Sequence, residues 1–185
     1  MVLEFLADGF EEIEALTPVD VLRRAGVEVA TVSVGKGDGL AVTGSHGIAV
    51  TADMTAAEAK AKFASADVEM VILPGGMPGA KNLDEDETVD FFVRKAAEEC
   101  WLAAICAAPM IPGKRGLLRG YRAACYPGWE DKLEGALLTG GRVEIDGRRI
   151  TACGMGAATE FALALAGVLK GDEAAEKLSA AILAK

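Results

Sequence analysis

Short apolar runs alternate along this chain with stretches of helical period, and that alternation restricts the possible folds more than any other feature. Val2–Leu6, Val27–Val34, Glu69–Leu73 and Leu102–Ile105 read as strands, and the last is continuously apolar, as a strand at the centre of a parallel sheet should be. Glu11–Ala25, Thr55–Phe63, a segment from Asp84 or Asp86 to near Cys100, Ala157–Leu169 and Glu173–Leu183 carry helical patterning. Strands alternating with helices imply a mostly parallel sheet covered on both faces, and right-handed crossovers make a doubly wound α/β arrangement the expected one. At 185 residues, a single domain spanning 1–185 with one sizeable core is expected.

Local punctuation supports this division. Gly26 follows the first helix as a C-terminal glycine, whereas Pro18 lies inside it and should remove one backbone hydrogen bond and bend the helix near Thr17. Val27–Val34 alternates apolar and polar residues, and Gly35–Gly39 ends it. A small hairpin follows, Leu40–Thr43 and Ile48–Thr51, around Gly44-Ser45-His46-Gly47. Arg122–Cys125, Val143–Ile145 and Ile150–Cys153 read as further strands, with Asp146-Gly147 as the hairpin turn between the last two. Lys170-Gly171-Asp172 separates the two final helices.

Composition excludes several classes of function. No apolar run is long enough to span a bilayer, so no membrane association is expected. A formal charge of −9 would repel a phosphate polyanion, so nucleic acid is not an expected partner either. The chain begins on a strand-like run with no basic segment before it, which predicts no export signal and a cytoplasmic location. Four cysteines (Cys100, Cys106, Cys125, Cys153) include no Cys-x-x-Cys pair, and with one histidine a conventional Cys/His zinc site lacks ligands; no metal or cofactor is expected.

In a doubly wound sheet the site lies outside the carboxyl ends of the strands, near the reversal of strand order. Three segments should converge there: Glu11–Glu14 after the first strand, the Pro74-Gly75-Gly76 turn, and Cys106. Ala103-Ala104-Ile105-Cys106-Ala107-Ala108-Pro109 places a nucleophile between a buried strand and a helix, flanked by residues small enough for a tight turn. A thiol at a helix N-terminus should have a lowered pKa, although Pro112 should cut that helix short. On spacing alone, Cys106 reads equally as a small buried hydrophobe, and Glu14 reads more readily as a solvated helix-start carboxylate. Cys100, Cys125 and Cys153 read as packing residues, and Trp101 and Trp129 as core or interface aromatics.

Five segments together resemble the ThiJ/PfpI superfamily, and within it the DJ-one branch of parkinsonism-associated and thiamine-locus homologues. They are Leu6–Glu14 (LADGFEEIE), Pro18–Gly26 (PVDVLRRAG), Leu73–Gly76 (LPGG), Ala103–Pro109 (AAICAAP) and Glu160–Ala164 (EFALA). The resemblance covers nearly the whole chain. It implies a flavodoxin-like homodimer in which Cys106 is the reactive thiol and Glu14, the last glutamate of Glu-Glu-x-Glu, hydrogen-bonds it. Amides corresponding to Gly76 and Ala107 would form an oxyanion-type pocket, with Gly75 beside them. His46 aligns with a basic hairpin position that can approach the partner's pocket, and Arg24 with a basic residue near it. A plain turn histidine and an exposed helix-end arginine are the alternatives. Ala107 stands where protease-like members carry a histidine, and Tyr126 where some members carry another.

The resemblance implies glyoxalase- or deglycase-like activity on small reactive carbonyls or glycated molecules, without metal or glutathione. Cys106 would add to an α-oxoaldehyde while Glu14 moves protons. A redox-responsive chaperone or stress protein that uses oxidation of Cys106 is the alternative. An intracellular peptidase is weaker, since no histidine adjoins the nucleophile.

Overall fold

The strand β1 (Val2–Ala7) is buried along its whole length, Leu3, Phe5 and Ala7 packing into one core cluster and Val2 into another. The computed structural model describes residues 1–35, 39–65 and 68–184. Around β1 are α1 (Glu12–Arg24), β2 (Val29–Val34), the hairpin strands β3 (Ala41–Thr43) and β4 (Ala49–Thr51), and the two-residue β5 (Met54–Thr55). Next come α2 (Ala56–Phe63), β6 (Met70–Leu73), α3 (Gly79–Asp84), α4 (Glu87–Glu99), β7 (Trp101–Ile105) and the short α5 (Met110–Lys114). The chain ends with β8 (Arg122–Ala123), β9 (Leu137–Leu138), β10 (Val143–Asp146), β11 (Arg149–Ala152), α6 (Ala158–Lys170) and α7 (Asp172–Ala181).

The seven-stranded sheet has the order β10-β11-β7-β6-β1-β2-β5, parallel except for the β10–β11 hairpin. Chain order runs outward from β1 in both directions, so the reversal lies between β1 and β6. Helices cover both faces: Phe63, Phe92 and Ile111 pack on one, Leu22, Phe161 and Leu165 on the other. This is the flavodoxin-like doubly wound arrangement. Among the described residues no helix is long and apolar enough to cross a membrane.

Local chemistry explains several element ends. Asp86 Oδ1 accepts from the Thr88 and Val89 N–H groups and starts α4. Thr55 and Glu58 form a reciprocal capping box at α2. Gly26, at φ +69°, follows α1.

Several elements differ from expectation. β2 begins at Val29, and all six of its residues are buried, because both faces are covered; Thr31 and Ser33 satisfy their hydroxyls on Asp53 and the Gly39 carbonyl. The glycine-rich stretch expected to end it includes residues 36–38, outside the described residues. Arg122–Cys125 contributes only β8, which pairs with β9 in a separate two-stranded sheet. α1 runs through Pro18 without interruption. The helix α3 had no sequence signal recognised for it, and Pro112 sits inside an α5 of five residues.

Candidate active site

The loops after β1, β6 and β7 meet at the carboxyl ends of the strands, beside the reversal in strand order. Backbone bonds hold the first two together: Glu11 N–H donates to the Gly75 carbonyl (3.0 Å) and Gly79 N–H to the Gly9 carbonyl (3.1 Å). Glycine is required where they cross. A Cβ on Gly76, itself at φ +86°, would lie 2.7 Å from the Gly9 carbonyl oxygen.

The start of α1 sorts three glutamates. Glu11 Oε2 accepts from Glu14 N–H at 2.7 Å and caps the helix. Residues two apart on a helix point about 200° away from each other, so Glu12 and Glu14 face opposite ways. Glu12 turns to the hairpin, where Oε1 accepts from His46 N–H (2.7 Å) and Oε2 lies 2.7 Å from His46 Nδ1. Glu14 turns inward. It is 1 % exposed, accepts from Gly75 N–H at 3.1 Å, and stands against the Cys106 thiol.

Cys106 has φ +65°, a left-handed conformation that L-residues other than glycine avoid. The turn is pinned by Cys106 N–H on the Ala152 carbonyl (2.9 Å), Ala108 N–H on the Ile105 carbonyl (3.1 Å) and Tyr126 N–H on the Cys106 carbonyl (2.8 Å). Ala107 and Ala108 are small enough to be buried directly behind it. The elbow presents a partly exposed thiol, with the amides of Gly76 and Ala107 directed at the sulfur.

Electrostatics of the pair depart from expectation in one respect. Burial raises the Glu14 carboxyl to about 7, helped by the charge of Glu11; the thiol and the amides of Gly75 and Met155 pull the other way. The Cys106 thiol was expected to be acidified by a helix N-terminus. Instead burial pushes it up to about 12, followed by the charge of Glu14 and a bond donated to that carboxylate, against the downward pull of the Ala107 and Gly76 amides. A five-residue α5 supplies little dipole to offset desolvation. Burial and the Glu14 carboxylate thus oppose ionisation of the thiol, while the Gly76 and Ala107 amides favour it.

The remaining candidates are spread out. Tyr126 is at the rim: a Cβ on Gly154 would lie 3.3 Å from its ring and 3.8 Å from Glu14 Oε1. His46 is exposed and bound to Glu12, not Glu14. Arg24, at the other end of α1, is exposed and pairs with Asp20; ten residues of helix set it about 15 Å from Glu14. Within one chain neither basic residue joins the thiol. Two features escaped sequence reasoning. The Met155 amide faces Glu14 from the loop after β11, where the Gly154-x-Gly156 pair was the available signal. Cys153, expected as a packing residue, is partly exposed and follows Ala152, whose carbonyl accepts from Cys106 N–H.

Residues 1–167 match the model of the DJ-1/PfpI family. The chain belongs to this family. Within the DJ-1/PfpI family its relatives fall in the DJ-1 branch. It is 37 % identical over 177 residues to protein DJ-1 homolog B of Arabidopsis thaliana, covering 94 % of this chain. The chain spans only 39 % and 45 % of the lengths of Arabidopsis homologues B and A. A Pyrococcus abyssi protein named as a deglycase is 31 % identical over 132 residues, 71 % of this chain and 75 % of that one. The structure of oxidized DJ-1 from Toxoplasma gondii superposes with a TM-score of 0.91 at 34 % identity, covering 99 % of this chain and 97 % of that chain.

Proposed function

We propose that this DJ-1/PfpI chain is a cysteine-dependent stress-response enzyme acting on reactive α-oxoaldehydes such as methylglyoxal, or on the adducts they form. The observation that carries the reading is the buried Glu14 carboxyl set against the Cys106 thiol at a left-handed elbow, with the Gly76 and Ala107 amides on the same sulfur. A DJ-1/PfpI relative named as a deglycase supports the same class of chemistry.

Glu14 carboxylate takes the proton as the Cys106 sulfur bonds to the aldehyde carbon, and returns it to the carbonyl oxygen, giving a hemithioacetal. The Gly76 and Ala107 amides stabilise charge developing on that oxygen. Glu14 then moves the proton of the aldehyde carbon to the adjacent carbon while the new hydroxyl's proton passes to the neighbouring ketone oxygen, through an enediol, and water releases lactate from the resulting thioester and restores the thiol. No metal or glutathione takes part.

Pairing with a second copy belongs to this reading, since Ile13, Leu16 and Ile48 expose apolar side chains on α1 and the adjoining hairpin. Four free thiols suit a reducing cytoplasm. A redox-sensing role uses the same atoms: the amides on the sulfur would also hold a Cys106 sulfinate.

Methylglyoxal turnover by wild type, Cys106→Ser and Glu14→Gln tests the enzyme. Loss in both variants is expected. Equal rates in all three would remove it, and selective gain of two oxygens at Cys106 under mild peroxide, without turnover, would favour the sensor.

A further inference from the structure

A second cluster of polar groups lies on the far side of α1 from the thiol, built by the β3–β4 hairpin and the helix start. Its centre is Glu12, only 5 % exposed although it is a carboxylate. Glu12 is seated rather than merely near the hairpin. Gly44 has no Cβ, and one placed there would lie 2.5 Å from the Glu12 carboxyl carbon. Oε1 is held by the His46 backbone N–H at 2.7 Å.

That leaves Oε2 facing outward into a set of donors. His46 Nδ1 lies 2.7 Å from it and Ser45 Oγ 3.4 Å, and these two are 3.1 Å from each other. Glu11 adds a second carboxylate, with one donor atom each from Glu11, Glu12 and His46 all within 4.8 Å of one another. A tetrahedral zinc shell with bonds of about 2.0–2.2 Å sets neighbouring ligands about 3.4 Å apart. The Glu12 and Ser45 oxygens already have that spacing, whereas His46 Nδ1 is hydrogen-bonded to Glu12 and would exchange that bond for the ion. In the single chain His46 is 71 % exposed, on the hairpin that also carries Ile48 of the proposed pairing surface, so a cation bound there would lie on that surface. The charges acting on His46 are those of Glu12 and Glu11, both negative.

We propose that Glu11, Glu12 and His46 form a site for a borderline first-row divalent cation, Zn²⁺ being the best fit, with the Ser45 hydroxyl or water completing the shell. Mixed imidazole and carboxylate donors suit such an ion better than Ca²⁺, which takes an all-oxygen shell. The lack of cysteine ligands and of a second histidine is made up by carboxylates. The bound ion would tie the hairpin to α1 without using any atom of the Cys106 pair.

The test is calorimetric titration of Zn²⁺ in a Cys106→Ser background, which removes the competing thiol, with Co²⁺ absorption reporting the coordination. One ion per chain is expected, with affinity weakened about tenfold or more by His46→Gln and by Glu12→Gln. His46→Gln keeps the backbone N–H that seats Glu12, so it isolates loss of the ligand from loss of the fold, and circular dichroism verifies that both variants are folded. Undiminished binding in folded His46→Gln, or no stoichiometric binding in the parent, would overturn the proposal.

Discussion

Gly75 donates its backbone N–H to Glu14 Oε2 at 3.1 Å, and a Cβ on Gly75 would stand 2.5 Å from that same oxygen and 2.7 Å from Cys106 Cβ. One residue without a side chain thus both polarises the buried carboxyl and leaves room for it to reach the thiol. Either function alone could be met by another residue; meeting both at this distance requires glycine.

Gly75→Ala should therefore displace Glu14 or Cys106. A cost of about 1–3 kcal/mol is expected, as for other overpacked sites. Urea denaturation measures it, and iodoacetamide labelling of the native protein should show an altered Cys106 rate. A variant with wild-type stability and labelling would show that the three groups have slack that the distances deny.

Cys106 at φ +65° gives a comparison that contacts alone would not suggest. In most ordered positions glycine is less stable than alanine, through backbone entropy. In the left-handed region the order reverses, because alanine retains the Cβ clash that glycine lacks. Cys106→Gly should be more stable than Cys106→Ala by about 1 kcal/mol. Chemical denaturation of the two variants side by side decides it, and alanine proving the more stable would mean the elbow is relaxed.

The elbow is also held from behind. Arg115, with its side chain 12 % exposed, donates Nε to Asp90 (2.6 Å), Nη1 to Asp84 and to the Ile111 carbonyl, and Nη2 to the Asp84 carbonyl (3.1 Å). It ties α5 to α3 and α4. Lysine keeps the charge but cannot reproduce this fork. Arg115→Lys is expected to cost about 2 kcal/mol, in line with the loss of one charge-assisted bond, and to loosen Cys106. Thermal unfolding and the Cys106 labelling rate should change together.

These examples show what a linear reading reaches. Strands β1, β6 and β7 and the turn residues Gly75, Gly76 and Cys106 were legible because each is a local pattern, an apolar run stopped by small residues. The match of Glu14 to Cys106 needed five motifs taken together, since a carboxylate at a helix start is ordinarily solvated. The Met155 amide was not legible, because any residue supplies an N–H and only the β11 loop's position aims it. Nor were the bonds of Arg115, which reach residues 25 and 31 positions away. The balance at the thiol was not legible either, because burial, a property of the assembled fold, acts against the local amides there.

Glu4 is the clearest case of a residue whose meaning only the fold reveals, and it carries the last prediction. It lies in mid-β1, fully buried, and neither carboxyl oxygen has a hydrogen-bond partner among the described residues. Burial holds its pKa well above the usual 4.5, the attraction of Arg23 only partly opposing. In the unfolded chain it loses its proton near 4.5, whereas the folded protein keeps it to higher pH. Its contribution to stability is thus full below about 4.5 and declines as pH rises towards the folded value, by at most about 1.4 kcal/mol per pH unit. Glu4→Gln abolishes the titration, so its stability relative to wild type should rise with pH. Glu4→Leu also removes the orphaned oxygens and should gain about 1–3 kcal/mol at neutral pH. Urea denaturation of wild type and both variants at pH 5 and pH 8 measures this. Parallel stability profiles would mean that Glu4 is ionised and paired in the folded protein.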